Sequence, residues 1–219
     1  MRVLITSGAT REPIDSVRFI SNISTGKMGA LIADYLAQQG IDVTLVCGQG
    51  SERPKAEVNT TEYASFRDLD NTLRQKLGSS RYDAVIHAAA VSDFSVLNPH
   101  AGKMTSEQDE LTITLSRNFK IVERLKDYSM NPDQIQIIAF KLTHTSDRIE
   151  QERAIHKLSF HPKINFVVHN DLAEIMQVGR HPFSIYSRDQ KMAEGKTKQD
   201  LAETLLKMFK QTKTERLES

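Results

Sequence analysis

The chain has 219 residues, 39% hydrophobic and 26% charged, with 29 Lys+Arg against 28 Asp+Glu and a formal net charge of +1. A chain of this length buries roughly 70% of its unfolded surface and needs neither disulfides nor a structural metal to fold, and its one cysteine, Cys47, excludes an intramolecular disulfide. The balanced charge excludes a general binder of nucleic acid or anionic membrane, so any phosphate recognition is local.

No apolar run approaches the roughly 20 residues of a membrane span, and the opening MRVLITSGA is too short for a secretory segment. The expectation is a cytoplasmic chain with one domain over 1–219 and a tail from about 210 that frays. Residues 3–6 form a short apolar run that stops at Ser7 and Gly8, a buried strand entering a turn. After Gly26, the apolar residues Met28, Leu31, Ile32, Tyr35 and Leu36 share one helical face, which Gly40 ends. Residues 43–47 read as a second strand. Ser65 and Asp68 form a capping box before a helix carrying Phe66, Leu69, Leu73 and Leu77, and 84–90 reads as a buried strand. Leu111, Ile113 and Leu115 alternate with Thr112 and Thr114, the pattern of a strand wet on one face, here an arm extending from the sheet. Strands follow at 135–140 and 166–169, separated by a weakly amphipathic helix over 147–158, and a last helix follows Thr197.

This alternation predicts an α/β fold, a doubly wound and mostly parallel sheet with helices on both faces. Such sheets bind ligands beyond the carboxyl ends of their strands, which places 7–22, 88–103 and 140–145 around one crevice. The first strand-to-helix connection, SGATREPIDSVRFISNISTGKMG, contains no GxGxxG and fails the P-loop pattern, since Lys27 is followed by Met28. It leaves a helix start dressed with Ser24, Thr25, Gly26 and Lys27, which suits an anion; an N-cap beside a surface lysine is the plainer alternative. Arg11 and Arg18 flank the connection, and a guanidinium holds phosphate or carboxylate through paired donors. Asn22 is either an amide donor for an oxygen gaining charge or a turn residue.

In HAAAVSDF, the small residues Ala88, Ala89 and Ala90 let a flat ring approach the backbone or simply pack, and Asp93 sits where a ribose or base would lie, or caps a turn. Lys103 is a loop lysine drawn toward the site by the crevice placement alone. No catalytic triad, paired carboxylates or metal-ligand pair is legible. Cys47 reads as an inert core residue and His87 as a satisfied core histidine.

The segments ITSGATREPIDSVRFISNISTGKMG and HAAAVSDF resemble the phosphopantothenoylcysteine synthetase family of coenzyme A biosynthesis. The likeness continues through the DELTI run at 109–113 and Ala139, Phe140 and Lys141 to Asn170 and Asp171. It implies a Rossmann-like ligase joining 4'-phosphopantothenate to L-cysteine, with CTP (ATP being the other admissible nucleotide) activating the carboxylate as an acyl-cytidylate and Mg2+ neutralising the triphosphate. Asn22, Arg18 and Lys103 match its catalytic residues. Ala88, Ala89, Ala90, Asp93, Lys103, Phe119, Ile121 and Phe140 match its nucleotide contacts. Gly8, Ser24, Thr25, Gly26, Lys27 and Gly29 match its phosphate and substrate contacts; no metal ligand is implied.

Departures are visible as well. The lysine-rich family loop here reads Lys103, Met104, Thr105, Ser106; the usual NPDI is NFKI at 118–121; and Lys157 and Lys163 match later lysines only with gaps. The resemblance also implies a homodimer formed through the 111–115 arm. It further implies a synthetase standing alone, with a separate flavin-dependent decarboxylase using its product. Two rivals are a short-chain dehydrogenase and a non-catalytic nucleotide- or NAD(P)-binding sensor. The first is disfavoured because none of the five tyrosines has a lysine four residues on.

Overall fold

The computed structural model describes residues 1–105, 107 and 109–218. The chain forms β1 (Arg2–Ser7), β2 (Arg11–Pro13), β3 (Phe19–Ser21), α1 (Lys27–Gln38), β4 (Asp42–Gly48), β5 (Asn59–Tyr63), α2 (Phe66–Ser79) and β6 (Ala84–His87). There follow β7 (Phe94–Val96), β8 (Leu115–Arg117), a 3-10 turn (Ile121–Glu123), α3 (Leu125–Tyr128), β9 (Gln136–Thr143) and α4 (Arg148–Ser159). The last elements are β10 (Phe166–Asp171), α5 (Leu172–Val178), β11 (Phe183–Ser187), β12 (Gln190–Gly195) and α6 (Lys198–Glu218).

Eight strands make the main sheet, in the order β12-β11-β10-β9-β6-β1-β4-β5. From β5 to β10 every pairing is parallel, and β11 and β12 extend the sheet antiparallel. The chain winds from β1 outward to β5, then crosses back to β6 and winds the other way. The order of winding therefore reverses between β1 and β6, and there the loops above the sheet diverge and leave a crevice. This is the doubly wound α/β fold that the alternation predicts.

Both faces are covered because the central strands are apolar on both sides. One core cluster packs Val3, Ile5, Leu45, Ile86 and Val168 against Ile32 and Leu36 of α1 and Leu201 and Leu205 of α6. The other packs Leu4, Val46, Val85, Ile137 and Val167 under Leu69, Leu73 and Leu77 of α2 and Leu125 of α3. Successive residues of one strand thus serve opposite faces. The capping box is realised: the Ser65 hydroxyl accepts from the Asp68 N–H, while the Asp68 carboxylate accepts from the Ser65 N–H at 2.9 Å.

Several expectations need correction. The strand read over 84–90 ends at His87, and beyond it only the Ala88 N–H to Thr6 carbonyl bond and the isolated Ala9–Ala90 bridge continue the pairing with the end of β1. The arm read over 111–115 forms a strand only from Leu115 to Arg117, paired antiparallel with Phe94–Val96 as a separate ribbon. Alternation makes a strand only where a partner supplies ladder bonds, and before Leu115 the ribbon retains a single one, from the Leu97 N–H to the Thr114 carbonyl at 2.9 Å. Ser106, the last residue of the departing loop sequence, lies outside the described residues.

His87 is internal, as expected, with its Nδ1 2.9 Å from the Thr6 hydroxyl. That hydroxyl also accepts from the Ala89 N–H at 3.2 Å. Burial pulls the His87 pKa down to about 4. The unfolded chain therefore binds the proton more readily, and the stability due to a neutral His87 is complete above about pH 6.5 and is lost as pH falls toward 4. We expect the unfolding free energy from denaturant titrations to fall over this window by an amount on the order of 3 kcal/mol. The His87→Gln variant should show a flatter profile, and an unchanged slope would contradict the assignment.

Candidate functional site

The long connection after β1 does not loop into solvent; it lies along the outgoing end of β6. Gly8 turns with φ of 80°, Ala9 forms a parallel bridge to Ala90, and the Gly8 carbonyl accepts from the Ala90 N–H at 2.7 Å. The Ala90 backbone is thereby fixed against the end of β1 independently of any ligand. Asn22 then returns to the same point and donates one amide N–H to the Ala90 carbonyl at 3.3 Å. An Asn amide has two N–H donors, so this bond orients the group and leaves its second donor for a ligand.

At the start of α1, the N-cap is Gly26 with φ of 78° and no side-chain cap, and the first turn carries no acidic residue. Gly26 itself supplies no cap, but the Thr25 hydroxyl accepts from the Lys27 N–H at 3.4 Å, and the other first-turn N–H groups keep the helix end positive. A Cβ on Gly29 would sit 2.4 Å from the Ser7 hydroxyl, and one on Gly26 would sit 2.8 Å from the Ser51 Cβ. Gly8, Gly26 and Gly29 are buried and serve this close packing; Ser24 is half-buried, and Thr25 and Lys27 are exposed on the outer side.

Arg18 is not free. Its guanidinium grips Asp15 through Nε and Nη2, and Nη2 also reaches the Met104 carbonyl at 3.3 Å. The Asp15 side chain is fully buried; Arg18, with the N–H groups of Val17, Arg18 and Met104, holds its carboxyl well below the usual carboxylate range. The Met104 N–H to Asp15 bond is 3.1 Å, and the His100 N–H to Ile14 carbonyl bond is 2.9 Å. Exposed Lys103 is thereby tethered beside the turn that carries Arg18. A second buried carboxylate, Glu12, accepts from the Phe66 N–H at the start of α2 and from Ser95 on β7, at 2.9 and 2.7 Å. Neither Glu12 nor Asp15 is distinguishable in the sequence as an anchor, because their partners in the ribbon and loop lie 83 and 89 residues away.

The remaining expected contacts spread along the crevice. Asp93 pairs with Lys120, which no sequence signal singles out. Phe119 is half-buried, edge-on to Phe66 with ring centroids 5.0 Å apart and with Arg124 over its face. Ile121 is 2% exposed with its side chain in the core, so a ligand could meet only its backbone. Phe140 is half-buried against the core on the α1 side. Lys163 is tied to Asp127 at 2.6 Å. Cys47 is fully buried, its thiol pushed up by burial. A cavity of about 370 Å³ opens at the carboxyl end of β10, lined by His169, Asn170, Glu174, Phe183, Ser184 and Lys196 among others; sequence reasoning had given it no role. Among the described residues no group of three His, Cys, Asp or Glu side chains could hold a metal ion, and no helix is long and apolar enough to cross a membrane.

A doubly wound, mostly parallel sheet with helices on both faces and an oriented Asn22 amide at its switch point defines a Rossmann-like α/β domain. More particularly, residues 1–212 match the DNA/pantothenate metabolism flavoprotein C-terminal domain, and the chain belongs to that family. It is 35% identical over 174 residues to the coenzyme A biosynthesis bifunctional protein CoaBC of Methanocaldococcus jannaschii, covering 79% of this chain and 41% of the relative. The chain thus spans less than half the length of that relative. Among solved structures it resembles the DNA/pantothenate metabolism flavoprotein of Streptococcus pneumoniae, with TM-score 0.85, 26% identity and 97% and 99% of the two chains covered. It also resembles the C-terminal domain of a CoaBC protein, with TM-score 0.76, 29% identity and 98% and 96% covered.

Replacing Asp15 by Ala removes the shared acceptor of Arg18 and Met104. The variant should lose about 2 kcal/mol of stability and gain hydrogen exchange at the Met104 amide. Protection equal to that of the parent would show that the loop is held by other contacts.

Proposed function

We propose that this chain is the ligase that joins 4'-phosphopantothenate to L-cysteine, forming 4'-phosphopantothenoyl-L-cysteine by way of an acyl-cytidylate. The observation that carries this reading is the Asn22 amide, held on the Ala90 carbonyl beside the start of α1. Family membership and the names of the CoaBC relatives support the place in coenzyme A biosynthesis.

In the first step a carboxylate oxygen of phosphopantothenate attacks the α-phosphorus of CTP. An O–P bond forms, the bond to the bridging oxygen breaks, and pyrophosphate leaves. In the second step the cysteine amine attacks the acyl carbon, the C–N bond forms, the C–O bond to phosphorus breaks, and CMP leaves with the electron pair. Both steps move negative charge among oxygens, which favours positioned donors over a protein nucleophile. The second N–H of Asn22 is suited to the acyl oxygen as the tetrahedral centre forms. Lys103 and the remaining donors of Arg18, held together by Asp15, face the phosphates. Ala88 to Ala90 and Phe140 border the space for the base, with Asp93 and Lys120 at its rim. Mg2+, when bound with the nucleotide, would neutralise the charge of the triphosphate.

The exposed Phe94, Leu97 and Leu115 of the β7–β8 ribbon and Phe19 of β3 suit association with a second copy, giving the homodimer. A flavin-dependent decarboxylase is the enzyme class that takes the product onward.

Mass detection of the intermediate across a nucleotide panel tests the reaction and the preference for CTP over ATP together. Pyrophosphate release requiring both phosphopantothenate and nucleotide is expected; nucleotide binding without turnover would leave a sensor. Asn22→Asp should slow amide formation about 100-fold or more and slow nucleotidyl transfer far less, because a carboxylate repels the developing oxyanion. Equal losses in the two steps would refute the role given to Asn22. Changing Leu111, Ile113 and Leu115 together to Lys should yield monomers in sedimentation, and an unchanged dimer would remove the ribbon from the interface.

A further inference from the structure

The cavity at the carboxyl end of β10 is separate from the contacts given to phosphopantothenate and nucleotide, yet it adjoins them. Lys196 on its rim lies two residues before Lys198, whose ammonium is held below its usual range by partial burial and by the nearby charge of Lys27 at the start of α1. The cavity opens at the same carboxyl edge of the sheet as the connection that carries Asn22, with β10 two strands from β6.

The wall of the cavity is organised around His169. The Thr143 hydroxyl lies 2.6 Å from Asp171 Oδ2 and 2.8 Å from His169 Nε2. Asp171 Oδ2 also accepts from the Thr145 N–H at 3.2 Å and the Gln151 amide at 3.3 Å, and Oδ1 accepts from the N–H groups of Ala173 and Glu174. These donors, with Thr143, hold Asp171 ionised despite its burial, below the usual carboxylate range. An ionised Asp171 must accept the proton of Thr143, so the threonine oxygen accepts from His169 Nε2–H. His169 is then locked as the Nε2–H tautomer, with the lone pair on Nδ1. Burial outweighs the attraction of Asp171 and keeps the ring neutral near pH 7. Glu174 and Lys196 add an anion and a cation that are in no salt bridge among the described residues, while the other carboxylate of the lining besides Asp171, Glu194, is paired with Lys191 at 2.6 Å. A neutral base set between opposite charges matches a small zwitterion.

We propose that this cavity receives the amino-acid co-substrate, with Lys196 on its carboxylate, Glu174 near its ammonium, and His169 Nδ1 taking the proton that frees the amine. The inference rests on the ligase reading above. Of the two protons the ammonium group loses in becoming an amide N–H, His169 takes the first, and the departing phosphate or water takes the second. Asp171 and Thr143 are positioning residues in this arrangement, since they act through His169.

The test separates the half-reactions in the full chain. In His169→Gln, single-turnover pyrophosphate release from phosphopantothenate and CTP without cysteine should stay within about twofold of the parent. Amide formation should fall about 100-fold or more, the usual share of a general base. Lys196→Met should raise the KM for cysteine about tenfold with kcat nearly unchanged, and calorimetry should show L-cysteine binding weakened to match. His169→Gln forming amide at the parent rate, or losing both steps equally while folded by circular dichroism, would overturn the proposal. If His169→Gln does not fold, unaltered cysteine binding and KM in Lys196→Met overturn it instead. A parent enzyme that completes the reaction while these variants match it defeats only the amino-acid site; a parent that releases no pyrophosphate with any nucleotide defeats the ligase reading and this site with it.

Discussion

The backbone contact between Gly8–Thr10 and Ala88–Ala90 organises the molecule above its sheet. β1 and β6 are neighbours in the ladder, and past their ends the two chains stay joined through the Ala9–Ala90 bridge and the 2.7 Å bond from Ala90 to Gly8. Because they stay together, Asn22 finds the Ala90 carbonyl, Ser92 donates its N–H to the Thr10 hydroxyl at 3.0 Å, and the connection becomes a wall of the crevice.

Two buried carboxylates extend this order outward. Glu12 ties the connection to the start of α2 and to the β7–β8 ribbon, and Asp15 ties it to Arg18 and the loop of Lys103. An ionised carboxylate is costly to bury unless donors surround it. The donors come from segments far apart in the chain, so each carboxylate is stable only once those segments have assembled. The positions of the exposed cations are thereby set by the fold instead of by the side chains alone.

The two residues most suggestive of covalent or acid–base chemistry by type, Cys47 and His87, are both enclosed in the core. What faces the crevice is a set of amides, the start of α1, and lysine and arginine side chains. Such an arrangement stabilises charge as it moves between oxygens and needs no reorganisation when it does so. His169 differs from His87 in that its fixed tautomer is turned toward a cavity, although both rings are neutral for the same reason of burial.

Much of the fold was legible because its signals are local. The apolar period of α1, the Ser65–Asp68 capping box and the continuous apolar strands each need only nearby residues, and their alternation leaves few topologies. The motif residues around Asn22 and Ala90 were legible from resemblance, and their side-chain types already suggested anions and acyl oxygens. Sequence could not show that Ile121 turns into the core, that Arg18 is held by Asp15, that the arm at 111–115 pairs only from Leu115, or that β5 and β12 edge the sheet with largely polar strands. Each of these depends on a partner dozens of residues away, and hydrophobic periodicity carries no information about such partners. The sequence by itself thus determined the layers and their winding, because burial is written in local pattern, while tertiary structure alone decided which polar groups meet, because a hydrogen bond depends on two positions that only packing brings together.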